Sequence, residues 1–340
     1  MGVDIDGAAP SSARRWGSPA VVAAALSKIY GEVRAVDDVS FSVDRGEVFA
    51  FLGPNGAGKT TTIKMLCTLA RPTSGRALVA GYDAMLQPRA VRRAIGLVFQ
   101  EQTLDDQLTA EENLRFHAVL YQVPTEEVAS RIDRVLRLVA LEDRRRDLVS
   151  TFSGGMARRL EIARGMLHTP SVLFLDEPTI GLDPQTRALM WEDVLRMREE
   201  EGTTVFLTTH YLDEAEYADR IAIIDHGRIV AQDTPEALKR GIAADTVELA
   251  TADDELAAAR LAEAGYRVRR DERSLTVLTA DGEAQVGRLV GTVGVPVRTV
   301  RVHRPTLDDV FMHFTGRTIR DSHAERLTSP RVRAFTARRR

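Results

Sequence analysis

Residues Gly53-Pro54-Asn55-Gly56-Ala57-Gly58-Lys59-Thr60 have the glycine, lysine and hydroxyl spacing of a phosphate-binding loop. The apolar run Val48–Leu52 precedes the loop and an amphipathic stretch, Thr60 to Leu69, follows it, so a strand should lead in and a helix lead out. The glycines let successive backbone N–H groups curl around phosphate oxygens, and the helix N-terminus adds the positive end of its dipole. Lys59 is expected to reach the β and γ phosphates and the Thr60 hydroxyl to bind Mg2+, with Thr61 beside it on the ligand. Only four of the 46 basic residues are lysines, and a compact ammonium suits this cradle better than a guanidinium fork.

A second chemical cluster ends the run Val172-Leu173-Phe174-Leu175-Asp176-Glu177-Pro178. A buried strand rarely finishes on adjacent acids without a cation or a reaction to serve. Asp176 is placed to hold Mg2+ directly or through water. Glu177 points the other way along the strand and is the candidate general base for an attacking water. A third element, Thr151-Phe152-Ser153-Gly154-Gly155-Met156-Ala157, opens an amphipathic helix with Ser153 at its expected N-cap. Its two glycines make another backbone site suited to an anion, although a capped loop alone would look the same.

These clusters need a scaffold, and 340 residues with 44% apolar and 28% charged side chains are enough for roughly two domains. The net charge of −3 gives no global reason to expect nucleic acid or an anionic surface as partner. A single cysteine, Cys67, excludes an intrachain disulfide and a multi-cysteine zinc site. No apolar stretch approaches the roughly 18 residues that span a bilayer.

Residues 1–21, rich in Gly, Ala, Ser and Asp, read as a disordered lead. Arg14-Arg15 ahead of Ala20–Leu26 imitates a secretion signal, but the run reads better as the opening of the first strand. Over residues 22–241, the runs Val48–Leu52, Ile95–Phe99, Val172–Leu175, Val205–Thr209 and Ile221–Asp225 alternate with amphipathic stretches. That order predicts an α/β domain with a parallel core sheet, and the β-rich opening adds an antiparallel layer. Residues 245–316 read as a smaller α+β domain in βαββαβ order, a ferredoxin-like arrangement. At its end Thr306 and Asp309 resemble a capping pair, and Leu307, Val310, Phe311 and Phe314 share one helical face that should dock on something. Residues 317–340 form a basic tail with eight arginines against two acids, read as solvated, with contact to anionic lipid headgroups as the alternative.

Together the three clusters resemble the nucleotide-binding subunit of an ABC transporter, over about residues 22 to 240. The resemblance implies the P-loop ABC cassette fold with a helical subdomain, and ATP with Mg2+ as ligands. In that family the Ser-Gly-Gly signature, here Ser153, Gly154 and Gly155, binds the γ-phosphate held by the opposite subunit. Gln100 matches the glutamine that joins Mg2+ and water to the membrane-coupling region, and His210 matches the switch histidine at the γ-phosphate. Asp183 matches the aspartate loop that communicates between subunits, and Tyr30 the aromatic that stacks on adenine. Two departures stand out: Met156 replaces the usual signature glutamine, and Gly181 replaces a small hydroxyl residue or alanine.

The resemblance further implies a head-to-tail dimer burying two ATP, a separate transmembrane permease subunit, and a peripheral position on the cytoplasmic face of the cell membrane. Pro305-Thr306-Leu307-Asp308-Asp309-Val310-Phe311, then Thr315-Gly316-Arg317, looks like the end of the daunorubicin-resistance class of ABC ATP-binding proteins, which energise drug export. The alternative is a soluble ABC ATPase of the ribosome or DNA. With one cassette, 94 residues between Lys59 and Gly154 and no sustained heptads, the chain lacks the inserted coiled coils and paired cassettes of those relatives.

Overall fold

The computed structural model describes residues 18–242, 245–270, 274–279 and 281–316. The expected lead over residues 1–17 and the basic tail over residues 317–340 lie outside the described residues. The chain opens with antiparallel strands β1 (Val21–Tyr30) and β2 (Val33–Val43), then β3 (Val48–Leu52) and helix α1 (Lys59–Leu66). Next come β4 (Ser74–Val79), the short β5 (Tyr82–Asp83), α2 (Pro88–Ala94) and β6 (Ile95–Val98). Three helices follow, α3 (Ala110–Leu120), α4 (Thr125–Leu138) and α5 (Gly154–Met166). The domain closes with β7 (Val172–Asp176), α6 (Pro184–Glu201), β8 (Thr204–Thr209), α7 (Leu212–Ala215), β9 (Arg220–Asp225), β10 (Arg228–Asp233) and α8 (Pro235–Ile242). Ala20 and Val21 are already buried, so the folded domain starts ahead of the boundary at residue 22 expected from composition.

The central sheet runs β10-β9-β3-β8-β7-β6, parallel from β9 to β6 with β10 antiparallel at its edge. Period-two alternation sorts its side chains. Val48, Ala50, Leu52, Leu173, Leu175, Val205 and Leu207 face a core built with helices α3 to α6. Phe49, Phe51, Phe174 and Phe206 face the other way, against Phe41, Leu26 and Val36 of the antiparallel sheet β2-β1-β4-β5. Phe41 stacks on Phe49 with centroids 5.5 Å apart, and Phe174 lies 5.4 Å from Phe206. Both faces are covered, which is why these strands read as unbroken apolar runs.

This sheet sets the site. Strands β3, β8, β7 and β6 are neighbours and parallel, so the residues just past their carboxyl ends fall along one edge. Those residues are Gly53 and the loop after it, His210, Glu177 and Gln100.

The C-terminal unit contains β11 (Asp245–Thr251), α9 (Asp254–Glu263), β12 (Arg267–Arg270), β13 (Leu275–Thr279), α10 (Gly282–Val293) and β14 (Val297–His303). Its antiparallel sheet runs β12-β13-β11-β14, and Val247, Leu249, Val277, Leu261, Leu289 and Val293 form a separate core. The element order is the βαββαβ order read from the sequence.

Helix α11 (Leu307–Thr315) starts with a capping box: Thr306 N–H donates to Asp309 at 2.8 Å and Asp309 N–H donates to the Thr306 hydroxyl at 3.3 Å. Its stripe does dock, as the sequence led one to expect, and the surface it meets lies in the first domain. Leu307, Val310 and Phe311 join the large core of the first domain, with Leu238 of α8. Phe314 corrects the fourth position of the stripe: in the last turn before the Gly316 cap, it stays exposed.

Candidate functional site

The loop after β3 closes around Lys59, which is 3% exposed. Its ammonium donates to the carbonyls of Gly53 at 2.7 Å and Pro54 at 3.1 Å. Gly58 is required on two counts. Its φ of +111° is left-handed, and a Cβ there would stand 2.6 Å from the Ala35 carbonyl. A cavity of about 390 Å3 opens above, lined by Asn55, Gly56, Lys59, Thr60, Thr61 and Gln100, with Glu177 at its side. Ala57, within the same loop, is turned inward. Its N–H donates to Pro54 at 3.1 Å, its carbonyl accepts from Gly227 at 2.9 Å, and it is buried beneath the loop.

Asp176 ends β7 beside the loop and is 3% exposed. One carboxylate oxygen accepts the hydroxyls of Thr208 at 2.6 Å and Thr60 at 3.2 Å. Sequence reading missed Thr208; its only signal was a hydroxyl at the end of an apolar strand. Glu177 adopts a left-handed φ of +47°, and its N–H donates to the Thr208 carbonyl at 3.1 Å, turning the side chain back over the loop. Glu177 Oε1 then lies 3.0 Å from Lys59 Nζ, and Oε2 lies 3.2 Å from His210 Nδ1. Burial opposes the charged carboxylate, but the adjoining His210 ring and the Lys59 charge outweigh it and hold the group at about 2.

Thr60, Asp176 and Gln100 present hard oxygen donors around one small space, a set that fits Mg2+. Among the described residues no three His, Cys, Asp or Glu side chains form a metal cage. Mg2+ does not require one, because it keeps waters and phosphate oxygens as most of its ligands.

The remaining candidates lie outside this cavity. Ser153 caps α5, accepting the Met156 N–H at 3.2 Å, and Ser153 and Gly154 are exposed. Gly155 is buried: a Cβ there would sit 2.2 Å from Thr186 Cγ2. Met156 packs against the helical core, which gives an apolar side chain at this position a place to go. Asp183 caps α6, accepting N–H groups of Gln185 at 3.1 Å and Thr186 at 3.0 Å and the Thr186 hydroxyl at 2.5 Å. The Thr186 bonds keep its carboxyl below the usual range. Tyr30 ends β1 half exposed, with Lys28 Nζ 4.7 Å above its ring.

The family model described as ABC transporter matches residues 36–180. Over 316 residues the chain is 41% identical to a daunorubicin resistance ATP-binding protein of Streptomyces coeruleorubidus, covering 90% of this chain and 98% of that one. The chain belongs to the ABC transporter ATP-binding family. It is 39% identical to the Nod factor export ATP-binding protein I of Ralstonia nicotianae, with 89% and 96% of the two chains covered. A solved dimeric ATP-binding cassette in a post-hydrolysis state, bound to ADP and Pi, superposes with a TM-score of 0.58 at 28% identity. It covers 63% of this chain and 98% of its own length. As a member of this ABC family the chain is an ATPase, and Lys59, Asp176 and Glu177 form a buried cluster beside its loop.

Proposed function

We propose that this ABC ATPase works as a head-to-tail pair that powers export through a separate membrane subunit. The observation that carries this reading is the division of its phosphate-binding groups. Lys59, Thr60 and Thr61 line the cavity, whereas the exposed Ser153 and Gly154 do not. A two-fold pair lets each copy lay its Ser153–Gly155 element over the cavity of the other, completing two equal sites. Asp183, at the start of the helix against which Gly155 packs, is set to meet the partner at the same seam. Tyr30 is assigned to the adenine.

Within each site, the γ-phosphate of ATP competes with Glu177 for the Lys59 ammonium. Once the phosphate takes it, Glu177 loses one of the groups that depress its pKa and becomes a stronger base. Glu177 then accepts a proton from water as the water oxygen bonds to the γ-phosphorus, and the bond from that phosphorus to the β–γ bridging oxygen breaks. ADP and phosphate leave. His210 holds the second carboxylate oxygen of Glu177 and so keeps it aimed. Thr60, Asp176 and Gln100 would hold Mg2+, which when bound neutralises charge on the β and γ oxygens.

A cavity of about 470 Å3 lined by Phe99, the residue before Gln100, supports a membrane partner. Leu97, Phe99, Leu108, Phe116 and Leu120 line it, and Phe116, Val119 and Leu120 are exposed along α3. An inserted segment of a permease would fill this groove and feel any movement of the Gln100 loop. The cargo read for it is a drug, antibiotic or similar hydrophobic molecule, and its place the cytoplasmic face of the membrane; relatives named for daunorubicin resistance, linearmycin resistance and Nod factor export support export.

Sedimentation of the Glu177→Gln chain with MgATP tests the pairing. A dimer is expected, and Ser153→Arg added to it should return the monomer. A monomer at saturating MgATP overturns the head-to-tail arrangement.

A further inference from the structure

The first turns of α5 carry a buried cation that the phosphate chemistry does not use. Arg158 is 8% exposed and Glu161 1%, and the two side chains meet at 2.8 Å. Arg158 Nε donates to the carbonyl of Pro178, the residue after Glu177, at 2.6 Å. Arg158 Nη1 donates to the carbonyl of Phe99, the residue before Gln100, at 2.5 Å. Glu161 Oε1 accepts the Thr103 N–H at 2.7 Å and the Thr103 hydroxyl at 3.1 Å. Arg164, one turn on, donates to the Thr103 carbonyl at 2.8 Å. The loops that follow β6 and β7 are therefore both tied to the helix that Ser153 caps.

Stability alone is a poor account of this hub. Removing two charges from water costs about as much as their attraction returns, and apolar pairs of the same size often do as well. Arg158 Nη2 is also buried without a hydrogen-bond partner among the described residues, so the cation is not even saturated. What the arrangement does supply is direction. A planar guanidinium can hold two carbonyls from different loops at fixed angles, which a flexible ammonium cannot.

We propose that Arg158, oriented by Glu161, is a positioning residue: it makes the signature helix, the Gln100 loop and the Glu177 turn move as one body. The proposal rests on the reading of Glu177 as base and Gln100 as the coupling glutamine. When a partner copy or its ATP displaces the Ser153 end of α5, the Arg158 bonds carry the displacement to both loops. The base is then set in line only when the signature is engaged.

Arg158→Gln alone leaves the buried Glu161 charge with only Arg164, 3.9 Å away, and can unfold the chain. The test is therefore the double variant Arg158→Gln/Glu161→Gln in the full-length protein, with Arg158→Lys beside it. The lysine keeps a partner for Glu161 but cannot hold both carbonyls. Fluorescent-nucleotide titration with Mg2+ reads affinity, and steady-state phosphate release reads kcat. In both variants kcat should fall by at least about tenfold while affinity stays within about twofold, because positioning acts on the transition state and not on ground-state binding. Wild-type kcat in either folded variant overturns the proposal, as does a loss of affinity that matches the loss of kcat. If the double variant does not fold, Arg158→Lys decides by the same two numbers. Glu177→Gln run in parallel separates the two readings: normal turnover there removes the base assignment, whatever Arg158 shows.

Discussion

The Lys59 ammonium and the Glu177 carboxylate stand 3.0 Å apart, both almost fully buried, so the cation proposed for phosphate and the base proposed for water occupy one another. In the proposed mechanism each is held in a form of low reactivity until a phosphate separates them. The pair thus links nucleotide arrival to base strength through one shared contact. That link has measurable consequences for binding and turnover.

Removing the competitor should strengthen binding. Glu177→Gln takes away the charge that holds Lys59, so MgATP affinity should rise by about three- to tenfold, on the order of 1 kcal/mol for a charge-assisted bond. Turnover should fall by about a thousandfold, the scale of a lost general base. Titration calorimetry and phosphate release read the two effects. Weaker binding in this variant would show that Glu177 does not compete for the ammonium.

Lys59→Ala should act in the opposite sense on affinity. The phosphates lose their one buried ammonium, and MgATP binding should weaken by about a hundredfold, roughly 3 kcal/mol for a charged hydrogen bond. Unchanged affinity in a fluorescent-nucleotide titration contradicts the placing of the phosphates beside Lys59.

Stability should depend on pH through Glu214, four residues after His210. Glu214 is fully buried, with Arg187 Nε 4.0 Å away, and burial pushes its carboxyl from 4.5 up to about 7. Between those values the folded chain keeps a proton that the unfolded chain releases. Stability therefore falls as pH rises from 4.5 to 7 and levels off above, by about 3 kcal/mol in all. Glu214→Gln, which cannot ionise, should flatten that slope in thermal melts recorded at pH 5 to 8. An equal slope in the variant assigns the effect to other groups.

Gly155→Ala should drive α5 away from α6, because the new methyl falls 2.2 Å from Thr186 Cγ2. The expected loss is about 1–3 kcal/mol, the usual cost of overpacking. Thr186→Ser deletes that Cγ2 and keeps the hydroxyl bonded to Asp183. The double variant should therefore regain most of the lost stability in a denaturant melt. No recovery places the strain elsewhere in the helix pair.

The sequence by itself determined the strands and the phosphate loop, because both are local. Apolar runs such as Val48–Leu52 and Val172–Leu175 specify buried strands by their own residues, and the loop from Gly53 to Thr60 needs only its glycines and the helix after it. The βαββαβ order after residue 245 was legible for the same reason. Tertiary structure alone decided which chemical groups share a space. The left-handed turn at Glu177 swings its carboxylate onto Lys59 and His210, and the neighbouring β8 brings Thr208 to Asp176. Ser153 and Asp183, equally plain in sequence, are left outside that cavity. Arg158 and Glu161 were invisible among many charged residues on an amphipathic helix, and α11 could show an apolar stripe without naming the surface it meets. Pattern and spacing state what a segment buries, whereas long-range packing of the sheet edge and the helices fixes what each buried group touches.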